Sequence, residues 1–340
     1  MVRGRNIDVQ TPHGLVKFNY FISTPTNPDA TSIDTSIPTV LFLHPVYIAS
    51  VIYHPQFSDP SLRRFNLVCA DLLAHGFTEG TVPPVYGGKE SAQDVAAFMD
   101  ALKLPACVIV GLSMGTIIGM QLALQFPQKV SALFLISPLG TEEPEDVADG
   151  RQQIHDTWRE AFQGDQVDEE MLSEGVFGAL QLGFNSEPSP LVTALVNLTI
   201  PRALVNWDPQ HFDAYEQATL KIFTERKNYS QEELEKLSST PITLVYCLAD
   251  VAYPSEYMDV FAEQLKEAGV AVRVHSVPNA PHFGCTTHPQ IVNPILSRFV
   301  CDNWKGEVLP AKLGSTVSPF EERMREAGYN ELDSDDEESD

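Results

Sequence analysis

The stretch Val108-Ile-Val-Gly-Leu-Ser-Met-Gly115, with the apolar segment that follows it to Phe126, constrains the fold more than any other part of the chain. Ala106 to Val110 reads as a buried strand, Gly111-Leu112-Ser113-Met114-Gly115 fits G-x-S-x-G, and Thr116 to Phe126 reads as a helix. An abrupt strand-to-helix turn holds the residue at its apex in a strained conformation, and glycines on either side let strand and helix approach. Ser113 would then project from the sheet's edge with a helix N-terminus beneath it, where a backbone N–H stabilises developing negative charge. A glycine-rich turn carrying an idle serine fits the five residues taken alone. The strand before them and the helix after them favour a nucleophile.

Around this unit, strands and helices alternate. Arg5 to Gln10 and Leu15 to Ser23 read as strands joined by the turn Thr11-Pro12-His13-Gly14, an antiparallel opening hairpin. Thr39 to Leu43 is a short apolar strand ending at His44-Pro45-Val46-Tyr47, and Phe65 to Asp71 is another, ending in Asp71-Leu72-Leu73-Ala74-His75-Gly76. Ser91 to Leu104 reads as a helix with Ser91 and Asp94 as its capping pair and Val95, Phe98, Met99 and Leu102 on one buried face. Ala132 to Ile136 is a further strand. After the insertion described next, Ile242 to Leu248 and Val270 to Val277 are strands, Ser255 to Ala268 is a helix stopped by Gly269, and Gln290 to Phe299 is a closing helix kinked at Pro294. The pattern predicts an α/β protein with a mostly parallel, doubly wound sheet covered on both faces.

From Thr141 to about Thr240 the strands stop. Helical segments carry Phe162, Met171, Phe177, Leu180, Phe184, Leu195, Leu198 and Trp207, with proline breaks at Pro188, Pro190 and Pro201. The chain therefore divides into residues 1–140, a helical insertion 141–240, residues 241–304 and an extension 305–340. The insertion's apolar residues form its own small core, and some line a ligand cavity beneath it.

The charge of the chain narrows its partners. With 22 Lys+Arg against 46 Asp+Glu, a net −24, a basic face for phosphate contacts is not expected, so nucleic acid is excluded as a partner. Seven of the acids, Glu331, Asp333, Asp335, Asp336, Glu337, Glu338 and Asp340, lie in a terminal run expected to be solvated and disordered. No apolar stretch approaches the ~20 residues that span a bilayer, and Met-Val-Arg-Gly-Arg-Asn carries no apolar signal region. Five scattered cysteines build no disulfide framework, and Cys69, Cys107 and Cys247 fall in strand-like runs as core thiols. A cytoplasmic, reducing location follows as the expectation.

A serine hydroxyl is a poor nucleophile at neutral pH, so Ser113 needs a base and the base needs an orienting partner. Asp250 closes the strand Ile-Thr-Leu-Val-Tyr-Cys-Leu-Ala-Asp, and His282 sits in Pro278-Asn-Ala-Pro-His-Phe283 after the last strand. Each falls where a doubly wound sheet presents functional groups, at or beyond the C-terminal ends of strands. Singly, Asp250 could cap the next helix and His282 could be a surface turn residue. Together, Ser113, Asp250 and His282 follow the chain order of a triad on this architecture.

These residues, with the His44-Pro45 step and the Asp71 to Gly76 segment, resemble the α/β-hydrolase fold family over nearly the whole chain except the tail, fading in the insertion. The resemblance implies Ser113 attacking an acyl carbon, His282 as base and then acid, and Asp250 orienting the imidazole. It also implies an oxyanion hole from the N–H of Met114 and of Val46, because Pro45 has no N–H, with Tyr47 the next candidate. Pro45 and Pro281 stand where the family usually has glycine. Ser137 rather than an acid follows the strand ending at Ile136, which favours Asp250 as the triad acid. Tyr47, Phe177, Phe184 and Trp207 are the candidate substrate-binding residues. Asp71 and His75 are assigned to anchoring loops, and His155 and His211 lack metal-like spacing. No metal or cofactor is needed. The leading expectation is a serine hydrolase acting on an ester, thioester or amide of a moderately apolar small molecule; a small-molecule binding protein with little turnover, and a carbon–carbon bond hydrolase or acyltransferase, are the alternatives.

Overall fold

The computed structural model describes residues 4–311 and 316–329; the acidic run from Glu331 lies outside them. Eight strands form one sheet: β1 (Arg5–Thr11), β2 (Gly14–Ser23), β3 (Thr39–Leu43), β4 (Asn66–Ala70), β5 (Cys107–Leu112), β6 (Val130–Ile136), β7 (Ile242–Cys247) and β8 (Val272–Val277), in the order β1-β2-β4-β3-β5-β6-β7-β8. β2 runs antiparallel to both of its neighbours, and every pairing from β4 to β8 is parallel.

The central strands are apolar on both faces because both faces are covered. Alternate residues enter opposite cores: Leu41, Leu43, Ile109, Leu133 and Leu135 point to one side, and Val40, Phe42, Val108, Val110, Phe134 and Ile136 to the other. The helices are, in chain order, α1 (His54–Phe57), α2 (Gly88–Ala101), α3 (Met114–Gln125), α4 (Glu145–Glu160), α5 (Glu169–Phe184), α6 (Pro190–Asn206), α7 (Phe212–Glu216), α8 (Ile222–Thr224), α9 (Gln231–Glu235), α10 (Ser255–Glu267), α11 (Gly284–Thr287), α12 (Pro289–Asp302) and α13 (Glu321–Glu326). α3 is buried around its whole circumference from Met114 to Ala123, as a helix apolar on all sides must be.

Two local expectations need correction. α2 starts at Gly88, three residues before Ser91; the side chain of Glu90 accepts from the Gly87 N–H, so Ser91 and Asp94 lie inside the helix rather than capping it. Pro190 opens α6, where a missing N–H costs nothing, but Pro201 lies within α6 and does not break it. Packing holds the helix through that defect, with Val192, Ala194, Leu195 and Ala203 all buried. Pro294 sits inside α12, where the sequence placed it.

The segment between β6 and β7 is helical, α4 to α9, with α7 and α8 joined through a π-helical turn at Gln217–Lys221. Part of the C-terminal extension is folded onto the body. Phe320 packs its ring against Phe21 and Phe57 at 4.6 and 5.4 Å, Met324 is buried, and Arg63 donates to the Val317 carbonyl at 2.6 Å. Cys69, Cys107 and Cys247 are buried free thiols.

Candidate active site

Ser113 sits between β5 and α3 with φ 52° and ψ −113°, a region a non-glycine residue adopts only when its surroundings impose it. What imposes it is close packing. A Cβ on Gly111 would lie 2.5 Å from the Gly115 carbonyl oxygen, and one on Gly115 would overlap the Leu43 carbonyl at the end of β3. The Ser113 N–H donates to the Ile136 carbonyl at 3.0 Å, and Thr116 bonds back to the Ser113 carbonyl through both its N–H and its hydroxyl.

Two loops bring the other candidates to this turn. His282 Nε2 lies 2.8 Å from Ser113 Oγ, and His282 Nδ1 lies 2.5 Å from Asp250 Oδ2. Asp250 Oδ1 accepts the N–H groups of Ala252 and Tyr253 at 3.0 and 2.9 Å, so the carboxylate is fixed by its own loop. With Nδ1 donating to that carboxylate, Nε2 is left to accept the serine proton. Ser113 and His282 are fully buried and Asp250 is 7% exposed.

The loop after β3 is set by His44. The Leu72 N–H donates to His44 Nε2 at 2.8 Å, so Nδ1 carries the proton and donates to the Pro45 carbonyl at 2.7 Å. Because the Pro45 carbonyl and the Val46 N–H share one planar peptide, that bond also fixes the direction of the Val46 donor. Burial lowers the His44 pKa, with Asp71 and the Pro45 carbonyl opposing, which keeps the ring neutral. Met114 is the first residue of α3, so its N–H is among those with no intrahelical acceptor. Tyr47 follows at φ 68°.

Asp71 anchors loops. Its Oδ1 accepts the Ser50 N–H and hydroxyl and its Oδ2 accepts Asn19 and the Phe77 N–H. His75 packs its ring against His44 and Trp207 at 5.2 and 5.6 Å. Burial first, then the neighbouring His44, push its pKa down from 6.5 to about 3 against a bond to the Leu73 carbonyl. Folded protein therefore keeps His75 neutral where the unfolded chain protonates it, and stability falls as pH drops from 6.5 toward 3. The decrease in melting temperature between pH 7 and pH 4.5 should be smaller in His75→Phe than in the wild type. It should not vanish, because His44 is depressed in the same direction.

An apolar cavity of ≈ 60 Å³ is lined by Tyr47 and Ile48 of the loop after β3, by Phe283 next to His282, and by residues of α4, α5 and α6. Phe184 and Trp207 line it with Tyr47. Phe177 does not: it faces outward, 57% exposed, while Gly175, Val176, Ala179 and Leu180 of the same helix face the cavity. His155 is buried, stacked on Tyr215, and His211 bonds Asp208.

Several site residues carry no motif in the sequence. The Ser137 hydroxyl donates to the His282 carbonyl at 2.6 Å, the Gly183 carbonyl accepts the Phe283 N–H at 2.9 Å, and Asn185 donates to the Ala249 carbonyl at 2.8 Å. The C-terminal end of α5 thus ties both loops, the one bearing Asp250 and the one bearing His282. Tyr253 stacks on the His282 ring at 5.0 Å. Only the position of Tyr253, three residues after Asp250, hinted at it.

Comparison with known proteins agrees with this architecture. Residues 38–289 match the family described as alpha/beta hydrolase fold. A protein of Pantoea ananatis named as a carbamate hydrolase, RutD, is 33% identical over 85 residues, 25% of this chain and 30% of that protein. A 3-oxoadipate enol-lactonase of Acinetobacter baylyi is 31% identical over 72 residues, 21% of this chain and 27% of the relative. The chain thus spans about a third of the length of such curated relatives. Among solved structures, a thermophilic esterase from Thermogutta terrifontis superposes with a TM-score of 0.66 at 18% identity, covering 88% of this chain and 99% of that one. A protein of Burkholderia cenocepacia named as an aryl esterase gives 0.65 at 19%, covering 88% and 99%. With three quarters of its length matched, and with an eight-stranded sheet of the order described above, this chain belongs to the α/β-hydrolase fold family.

Proposed function

We propose that the protein is a serine hydrolase that cleaves an ester, thioester or amide of a small apolar molecule through an acyl-enzyme intermediate. The observation that carries this reading is the continuous hydrogen-bonded line from Asp250 through His282 to Ser113 Oγ. In it, Ser113 attacks the acyl carbon, His282 takes the hydroxyl proton and returns it to the leaving group, and Asp250 stabilises the imidazolium. Met114 and Val46 supply the backbone donors for the oxyanion, with the Val46 N–H aimed through His44. Carbamates, named for several relatives, present the same kind of acyl carbon and fall within the substrates this chemistry covers.

The segment 141–240 is proposed as the cap that sets specificity. Tyr47, Phe184 and Trp207 line the cavity beneath it and take the apolar part of the substrate. With both reacting groups fully buried, substrate reaches Ser113 only when the cap loosens.

A series of p-nitrophenyl esters of increasing acyl length tests the reading. The expected result is turnover that peaks at short to medium acyl chains and falls for long ones, since the cavity is small. Tight binding of these esters with no turnover across the series would favour the binding-protein alternative and contradict the hydrolase.

A further inference from the structure

Beside the reaction centre lies a buried charge cluster whose signs do not cancel. Glu143 Oε1 accepts Arg151 Nε at 2.6 Å and the Tyr253 hydroxyl at 2.7 Å, and its Oε2 accepts Arg226 Nη2 at 2.8 Å. Arg151 Nη2 donates to the Tyr253 hydroxyl at 2.9 Å, and Arg226 donates to the Thr141 carbonyl and the Tyr257 hydroxyl. The side chains of Arg151, Glu143 and Arg226 are 0%, 2% and 4% exposed. Two guanidiniums thus share one carboxylate out of reach of water, and one positive charge is left over. Nη1 of each arginine is buried without a hydrogen-bond partner among the described residues.

Such an arrangement is costly: an ion excluded from water needs a counter-charge, and a buried donor needs an acceptor. The Phe223 ring, 3.6 Å from the Arg151 guanidinium carbon, attracts the cation through its face but takes none of the in-plane N–H groups. Of the two arginines, Arg151 is the one joined to the reaction centre. Its Tyr253 partner stacks on His282, and the Tyr47 phenol of the loop after β3 lies close enough for Arg151 to oppose the rise that burial imposes on its pKa. Burial and the two arginines act in opposite directions on Glu143; burial is the largest single influence and raises its pKa, yet Arg151 and Arg226 together hold it below the usual value. The Glu143 carboxylate is therefore already engaged as a counter-ion.

We propose that Arg151 is a substrate-recognition residue and that the substrate carries a carboxylate, remote from the scissile bond, which pairs with Arg151 between Tyr47 and Tyr253. This deepens the hydrolase reading and rests on it. The substrate class becomes acyl compounds with an apolar body and an anionic end, such as monoesters of dicarboxylic acids. The planar guanidinium matches a carboxylate in geometry, whereas lysine would supply charge without the fork.

The test compares kcat/KM for p-nitrophenyl hydrogen adipate with that for p-nitrophenyl hexanoate. The wild type should prefer the charged ester, and Arg151→Gln should lower the charged-to-neutral ratio at least fivefold, with Arg151→Lys in between. A ratio that moves less than fivefold, with both esters slowed in parallel, is the behaviour of a purely structural cluster and would overturn the proposal. Should Arg151→Gln not fold, the same ratio in Arg151→Lys decides, since a lysine that restores the fold but lacks the fork should still lower it. Adipate binding by calorimetry separates this claim from the hydrolase reading. Ser113→Ala should bind adipate and not 1,6-hexanediol, and the double variant with Arg151→Gln should bind neither. That pattern without ester turnover would dismiss the hydrolase and keep the site; equal binding of adipate with and without Arg151 would dismiss the site.

Discussion

Replacing Ser113 by alanine should lower ester turnover by about 10⁴- to 10⁶-fold, the range seen when a triad nucleophile is removed and only binding and oxyanion donors remain. The fold should survive, because the backbone of residue 113 is held by its N–H to Ile136 and by Thr116, none of which involves the serine hydroxyl. The variant would leave His282 Nε2 buried without its 2.8 Å partner, a cost of about 1–3 kcal/mol for one unsatisfied buried group. A shift of a few degrees in melting temperature alongside the large kinetic loss is the expected pair of results, measured by ester hydrolysis and by thermal melting of the same preparation. Turnover within tenfold of the wild type would place the chemistry elsewhere.

The second large effect is expected from Asp250→Asn, about 10⁴-fold in kcat, from the wrong imidazole tautomer rather than from lost packing. In the wild type Nδ1 of His282 donates to Asp250 Oδ2. An asparagine amide can turn its NH₂ toward Nδ1, which then accepts and puts the remaining ring proton on Nε2, facing Ser113 Oγ with a donor where an acceptor is needed. Asp250 Oδ1 also holds the N–H groups of Ala252 and Tyr253, and an asparagine oxygen can keep those bonds. Steady-state kinetics with a reactive ester reads the effect. A reduction of less than about tenfold would mean that the carboxylate is not what sets the tautomer.

Much of the scaffold was legible because it is written in local signals. β3 occupies Thr39–Leu43 as read, since a continuous apolar run bounded by Pro38 and His44 leaves little freedom, and α3 follows β5 because Gly111 and Gly115 announce their close approach. Ser113, Asp250 and His282 were legible as a group because each stands at or just beyond the C-terminal end of a strand. The start of α2 was hidden because its cap and first residue are both glycine, Gly87 and Gly88, and the cap is closed by Glu90 reaching back. Pro201 misled because local propensity gives way to the packing of α6. Phe177 misled for a related reason: an apolar side chain on a helix does not say which face is inside. The cluster of Glu143, Arg151 and Arg226 left no trace at all. Its members are separated by up to 83 residues, and an ion pair between distant positions has no period to detect.

Ser113 is proposed to act as an activated nucleophile. Treatment of the wild type with a fluorophosphonate, followed by mass spectrometry of the intact protein and of its peptides, tests it most directly. One phosphonyl adduct is expected, on the peptide containing Ser113, formed quickly in the wild type, slowly in His282→Ala and not at all in Ser113→Ala. An unlabelled wild type, or an adduct on another residue that persists in Ser113→Ala, would contradict it.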